Sequence, residues 1–180
     1  NRINGIYSIT PEIFSLWEKS AKLGFAAAQN ELGRCYEHGQ GIIQDYKKAV
    51  YWYTKAAEQG DSSAQNKLGF CYWSNQGVAQ NYEKAVYWYT KAAEQGNAIA
   101  QYNIGVCHNN GQGATKDYEK AIYWYTKAAK QGDDSAQYNL GASYYYGKGV
   151  IKDYEKAIYW FTKSAEQGDS SAQYNLGLCY

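Results

Sequence analysis

The chain is 180 residues long and nearly neutral: 18 Lys and Arg stand against 17 Asp and Glu, a net charge of +1. That balance holds no basic surplus for nucleic acid or an anionic membrane surface, and no apolar run approaches the roughly 20 residues that span a bilayer. Tyrosine (21) and glycine (18) are abundant, proline occurs once and methionine not at all. The missing initiator and the end at Cys179-Tyr180 read as a processed chain or an excised segment. Residues 1–24 have neither the apolar stretch nor the small-residue cleavage site of a signal peptide.

The chain opens with a helix start at Thr10-Pro11-Glu12, a hydroxyl cap followed by proline at the first helical position. The next helix, A, is predicted from about Ala27 to Tyr36, with Ala28, Leu32, Cys35 and Tyr36 on one face. Gly39-Gln40-Gly41 stops it. Helix B begins after Asp45, an N-cap residue type, and its inward stripe is Tyr46, Ala49, Tyr53, Ala56 and Ala57. Gly60 closes it, and the next helix A follows within a few residues.

This pattern recurs without gaps at a shift of 36 residues. Ala28-Gln29 returns as Ala64-Gln65, Ala100-Gln101, Ala136-Gln137 and Ala172-Gln173, and Gly33 as Gly69, Gly105, Gly141 and Gly177. Trp52, Trp88, Trp124 and Trp160 share one column, and Asn81, Asp117 and Asp153 repeat the cap of Asp45. Leu16, Trp17, Ser20, Ala21 and Gly24 fill the slots of Trp52, Tyr53, Ala56, Ala57 and Gly60. Residues 1–180 thus read as a single array: a partial repeat at 1–24 (helix B), full repeats at 25–60, 61–96, 97–132 and 133–168, and a partial repeat at 169–180 (helix A). A lone pair cannot bury its apolar stripe, so stacked neighbours must do it. The fold class is all-α, an α-solenoid of tandem helix-turn-helix repeats. Gly33 and its equivalents, with Ala56 and Ala57, are expected to let helices approach closely, and the Trp and Tyr columns to fill the gaps.

Leu140-Gly141 then Tyr144, the loop Gly147-Lys148-Gly149-Val150, Asp153-Tyr154-Glu155-Lys156-Ala157, Trp160-Phe161 and Ser164-Ala165-Glu166-Gln167-Gly168 resemble the Sel1-like repeat family, relatives of the tetratricopeptide repeat. The resemblance covers the chain from about residue 11. It implies a right-handed superhelix with helix A on the concave side, and an adaptor or scaffold role in multiprotein complexes; members serve in endoplasmic-reticulum degradation, control of cell-wall synthesis and bacterial–host contact. Asn75 stands where other copies have the first loop glycine, and asparagine is the next residue to accept a left-handed backbone. His108 replaces the tyrosine of Tyr36, Tyr72, Tyr144 and Tyr180. Some secreted bacterial members carry a bridging cysteine pair in each repeat, whereas this chain has one cysteine per repeat.

Chemistry-bearing residues all have an architectural reading. Cys35, Cys71, Cys107 and Cys179 share a column, one helix pair apart and beyond the roughly 4.4–6.8 Å between Cα atoms of a disulfide. They read as small buried residues, and the lack of bridging pairs favours a reducing compartment such as the cytoplasm. His38 and His108 have no second ligand at metal spacing. The Gly-x-Gly loops follow no strand and precede no Lys-Ser/Thr, so they are helix stops and not phosphate cradles. No nucleophile–base pair with an orienting third group recurs. The reading is a non-enzyme with no metal, no cofactor and no catalytic residue.

With helix A on the concave side, a helical wheel puts positions 30, 34 and 37 outward, with 31 and 38 at the rim. These columns also vary between copies. Candidate protein-binding residues are Asn30, Arg34, Asn66, Phe70, Trp73, Tyr102, Val106, Tyr138, Tyr145 and Tyr174, with Glu37 and Asn109 in the same columns. Aromatic groups of this kind supply buried area in protein interfaces. The expected partner is a protein or peptide. The alternative is head-to-tail self-assembly into a filament: the length is five periods, and Asn1 and Gly5 of a second copy would follow Tyr180 in register. The ends involved are Pro11, Ile13, Phe14, Trp17, Tyr174, Leu178 and Tyr180.

Overall fold

The structure, a computed structural model, describes residues 9–179. It holds ten α-helices and no strand among those residues, and the chain divides into two compact units between Trp88 and Tyr89. B-type helices are α1 (Pro11–Lys22), α3 (Tyr46–Glu58), α5 (Tyr82–Glu94), α7 (Tyr118–Lys130) and α9 (Tyr154–Glu166). A-type helices are α2 (Ala26–His38), α4 (Ser62–Ser74), α6 (Ala98–Asn110), α8 (Asp134–Tyr146) and α10 (Ser170–Leu178). The unit boundary falls within α5, and each unit is described by itself.

Each helix has a local reason for its ends. Asp45, Asn81, Asp117 and Asp153 accept the backbone N–H three residues on at 2.8–3.0 Å, as N-caps do. Asp61, Asn97, Asp133 and Asp169 do the same for the A helices. Thr10 caps α1 through Ile13 N–H, with Pro11 in the first turn. Helix α4 ends on Asn75 at φ 61°, so asparagine takes the left-handed residue that glycine supplies in the other loops. Helix α2 runs two residues further than the sequence spacing suggests, reaching His38.

Packing turns on two devices. Gly33 lets the ring of Tyr53 lie against the α2 backbone; a Cβ there would stand 2.6 Å from the ring. Gly105 seats Tyr125 in the same way, and Gly141 seats Phe161. The second device is a chain of amides in which a buried glutamine of the A helix is joined by an exposed one from the end of the following B helix. Gln29 Nε2 donates to Ala21 O at 3.1 Å, and Gln59 Nε2 to Gln29 Oε1 at 2.7 Å, tying α1, α2 and the end of α3 together. In the second unit Gln137 Nε2 donates to Ala129 O at 3.2 Å, while Gln167 Nε2 reaches both Gln137 Oε1 (2.9 Å) and Gly132 O (3.0 Å). Trp52, Trp88, Trp124 and Trp160 sit in like surroundings, each half-buried and meeting the edge of the preceding tyrosine at 4.9–5.0 Å.

The glycine seats make a differential prediction. Gly105→Ala drives a methyl into the Tyr125 ring and should cost about 1–3 kcal/mol, whereas Gly177→Ala meets nothing within 4 Å. Glycine is a poor helix former, so Gly177→Ala should hold or raise the stability. Urea denaturation of the two variants beside the parent chain checks both signs.

Candidate functional site

In the first unit α2 is enclosed on two sides. The Gly33–Tyr53 contact fixes one side; on the other, Lys67 Nζ of α4 reaches Glu37 Oε2 at 3.0 Å. The consequence corrects the helical wheel. Asn30 and Asn66 are buried, each 8% exposed, and so is Glu37; positions 30 and 37 face neighbouring helices. What remains open is a strip one step round: Ala27 and Arg34 with His38 on α2, and Ser63 and Phe70 on α4, edged by Glu31 and Lys67. Of the candidates in this unit, Arg34 and Phe70 are exposed and Trp73 is half-buried, stacking on Phe70 at 6.4 Å and meeting Tyr82 edge-on at 6.4 Å. Arg34 Nη1 is drawn to Glu31, at 3.1 Å from both carboxylate oxygens.

Glu37 forms a polar knot absent from the wheel reading. Tyr53 Oη donates to its Oε2 at 2.5 Å, Lys67 adds the ion pair, and His38 Nε2 lies 3.4 Å away. Burial raises its pKa, but the Tyr53 hydroxyl, then Lys67, together outweigh this and hold the carboxyl below its ordinary value of 4.5. Burial raises the Tyr53 phenol, with the Glu37 carboxylate adding to it. The signal for the knot was in the sequence: Glu37 and Lys67 break columns that hold Trp73, Asn109 and Tyr145, and Glu31, Asn103, Asn139 and Asn175.

In the second unit the same correction applies more softly. Tyr102 packs on Tyr125 (6.0 Å) and Tyr138 on Phe161 (5.8 Å), both half-buried, and Asn175 Nδ2 donates to Tyr138 Oη at 3.2 Å. Position 30 is therefore a packing position that tyrosine fills and asparagine leaves small. Val106 is half-buried, Tyr145 lies against Tyr154 at 5.4 Å, and Tyr174 on α10 is 69% exposed. The open strip here runs through Ile99, Asn110 and Tyr146. Among the proposed end residues Pro11, Ile13 and Leu178 are exposed, Trp17 is half-buried, and Phe14 packs edge-on to Tyr36 at 6.2 Å. Tyr180, Asn1 and Gly5 lie outside the described residues.

Cys35, Cys71 and Cys107 are free and buried, and Cys179 is half-buried. Burial pushes their thiols up, to about 11 for Cys35 and Cys107 and about 12 for Cys71. His108 Nδ1 lies 3.3 Å from Thr115 O in the following loop, while His38 belongs to the Glu37 knot. Among the described residues no group of three His, Cys, Asp or Glu side chains is placed to hold a metal ion, and no helix is long and apolar enough to cross a membrane.

The sequence profile of the Sel1 repeat matches residues 26–61, 62–97, 98–133, 134–169 and 170–180. A protective antigen present in uropathogenic Escherichia coli strains, with an SLR fold, superposes on 93% of the chain with a TM-score of 0.89 and 38% identity. A Sel1 repeat protein from Oxalobacter formigenes covers 92% with a TM-score of 0.86 and 37% identity. The chain spans 36% and 66% of those two structures. Chitin synthase regulatory factor 3 of Schizosaccharomyces pombe is 49% identical over 49 residues, which is 26% of this chain and 5% of that protein. The fold class is therefore an all-α solenoid of tandem repeats.

Two solution tests address the buried chemistry. A carboxyl held below its unfolded pKa stabilises the fold above that pKa, and the contribution is lost as pH falls through the lower native value. Glu37→Gln should therefore cost about 1–2 kcal/mol at pH 7, with the gap to the parent closing as the pH drops well below 4.5. Denaturant titrations across pH measure it. For the thiols, iodoacetamide near neutral pH should label Cys179 in the native chain, and Cys35, Cys71 and Cys107 only after unfolding.

Proposed function

Because this chain belongs to the Sel1 repeat family, we propose that it is a non-enzymatic interaction scaffold which holds a protein or peptide on the open strip of its A helices. Members of this family are generally scaffolds of that kind. The observation that carries the reading is the pairing of Phe70 with Trp73. Phe70 is exposed on α4, stacks on Trp73, and fills no pocket of the core. An accessible aromatic pair beside the charged strip of Glu31, Arg34 and Lys67 offers an apolar anchor with a polar rim. Ile99 and Tyr146 give the second unit an equivalent strip of different character. One relative is a regulatory factor of chitin synthase, a name consistent with a role in holding other proteins.

Head-to-tail self-assembly is the second reading, and one observation favours it. Tyr174 and Leu178 are 69% and 57% exposed on α10, whereas Tyr138, the equivalent of Tyr174 on α8, is packed on Phe161 of α9. That α10 face would accept a B-type helix, from a second copy or from a further repeat.

A benzophenone amino acid at position 70 tests the scaffold directly. It should crosslink to a discrete protein in extract of the source cells, while the same group at position 123, on the exposed side of α7, should not. Equal labelling at both positions, or none at 70, would contradict the strip as a docking face. Sedimentation velocity over a wide concentration range separates the second reading: a species that grows with concentration, and reverts on Leu178→Glu, supports assembly, and an unchanging monomer removes it.

A further inference from the structure

The loops of the second unit break a rule that the loops of the first unit keep. In the first copy the loop carries Gln40 and Gln44, and in the second Gln76 and Gln80. The later glutamine of each pair has a structural task. Gln44 Nε2 donates to Glu37 O at 2.7 Å, and Gln80 Nε2 to Trp73 O at 2.8 Å, closing the carbonyl end of the A helix. At this position the second unit has Lys116 and Lys152, and the earlier glutamine becomes Lys148. These lysines turn instead to tyrosine rings: Lys116 Nζ lies 5.1 Å from the Tyr118 centroid, Lys148 5.8 Å from Tyr146, and Lys152 4.9 Å from Tyr154.

The three cations form one patch. Gly149 rests on the first turn of α7, where a Cβ would stand 2.6 Å from the Tyr118 backbone, so the α8–α9 loop lies beside Lys116 and Tyr118. A hydrogen bond from Lys116 lowers the Tyr118 phenol, opposed by slight burial and reinforced by the charges of Lys116 and Lys148. The described carboxylates nearby make no ion pair with the three lysines. Asp117 and Asp153 cap their helices and pair with Lys120 and Lys156 at 3.6 and 3.0 Å. Glu119 and Glu155 are exposed in the first turns of α7 and α9, and the groups that raise Lys152 are Tyr154 and Tyr145, with no carboxylate among them. Among the described residues Lys116, Lys148 and Lys152 make no ion pair. Around them Tyr146 is 62% exposed and Ile151 90% exposed, with Tyr154 also open.

We propose that this lysine–tyrosine patch on the α8–α9 loop is a second docking surface, distinct from the A-helix strip, for an acidic segment of a protein partner in which carboxylates alternate with apolar side chains. Three ammonium groups without an ion-pair partner, spaced by tyrosine rings, match that alternation: the carboxylates meet Lys116, Lys148 and Lys152, and the apolar groups lie on Tyr146, Tyr154 and Ile151. A polyanion such as nucleic acid draws its affinity from a broad basic surplus, which a chain of net charge +1 lacks.

The test uses the full chain and a short dye-labelled peptide of alternating glutamate and leucine, read by fluorescence anisotropy. The control peptide has serine for glutamate. Lys148→Gln with Lys152→Gln installs the residues that the first copy already carries, so the fold is kept, and matching thermal melts confirm it. The parent should bind the acidic peptide and not the serine peptide, with affinity falling as salt rises. The double variant should bind about tenfold more weakly, the loss expected of two rim charges. Phe70→Ser with Trp73→Ser should leave this binding unchanged, which separates its failure from failure of the strip. The proposal is overturned if the double variant binds like the parent, if the serine peptide binds equally, or if a single-stranded oligonucleotide or a phosphatidylserine vesicle binds more tightly than the acidic peptide.

Discussion

The buried glutamine amides are the constraint on which the remaining geometry depends. A helix pair is held to the next one largely by nondirectional contact between small residues and aromatic rings, which would tolerate a slide. An amide hydrogen bond in a dry setting does not: it is worth little net when made, but leaving it unmade costs the full desolvation of the group. Gln29 and Gln137 each reach the carbonyl of an alanine on the preceding B helix, and each receives a second glutamine from the B helix that follows. The amide therefore reads the position of both neighbours at once, and a register shift would orphan several buried groups together.

With register fixed, the orientation of the A helices is fixed too, and so is the narrow strip they leave open. The Gly33–Tyr53 seat and the Lys67–Glu37 bridge enclose two sides of α2, which is why Asn30 and Glu37 are interior while Arg34 is not. Variation then has only a few places to go. Residues at the open strip change from charged to aromatic between α2 and α4, and the loops change from glutamine to lysine in the second unit, while the B helices hardly change. A repeat array of this kind keeps its frame constant and diversifies its edges, and both proposed docking surfaces lie at those edges.

Much of the fold was legible in the sequence because a period of 36 residues separates architectural positions from free ones without any relative for comparison. Caps at Asp45 and Asp117, the stop at Asn75 and the close approach at Gly33 followed from local chemistry. The candidate site was less legible. A helical wheel treats a helix as having one buried face, whereas α2 has neighbours on two sides, so the wheel turns Asn30, Asn66 and Glu37 outward although they are interior. The glutamine column was visible as a repeat, but nothing in its spacing says that the side chain reaches back eight residues to a carbonyl. Glu37 and Lys67 stood out only as departures, and their meeting across 30 residues needs the superposed helices to be seen.

A double-mutant cycle on Gln137 and Gln167 tests the amide constraint most directly. Each replacement by Ala alone should cost about 1–3 kcal/mol in urea denaturation, and the pair should cost clearly less than the two single losses combined, since the second change removes a partner already lost. Strictly additive losses, or single losses near zero, would contradict the view that these amides hold the repeats in register.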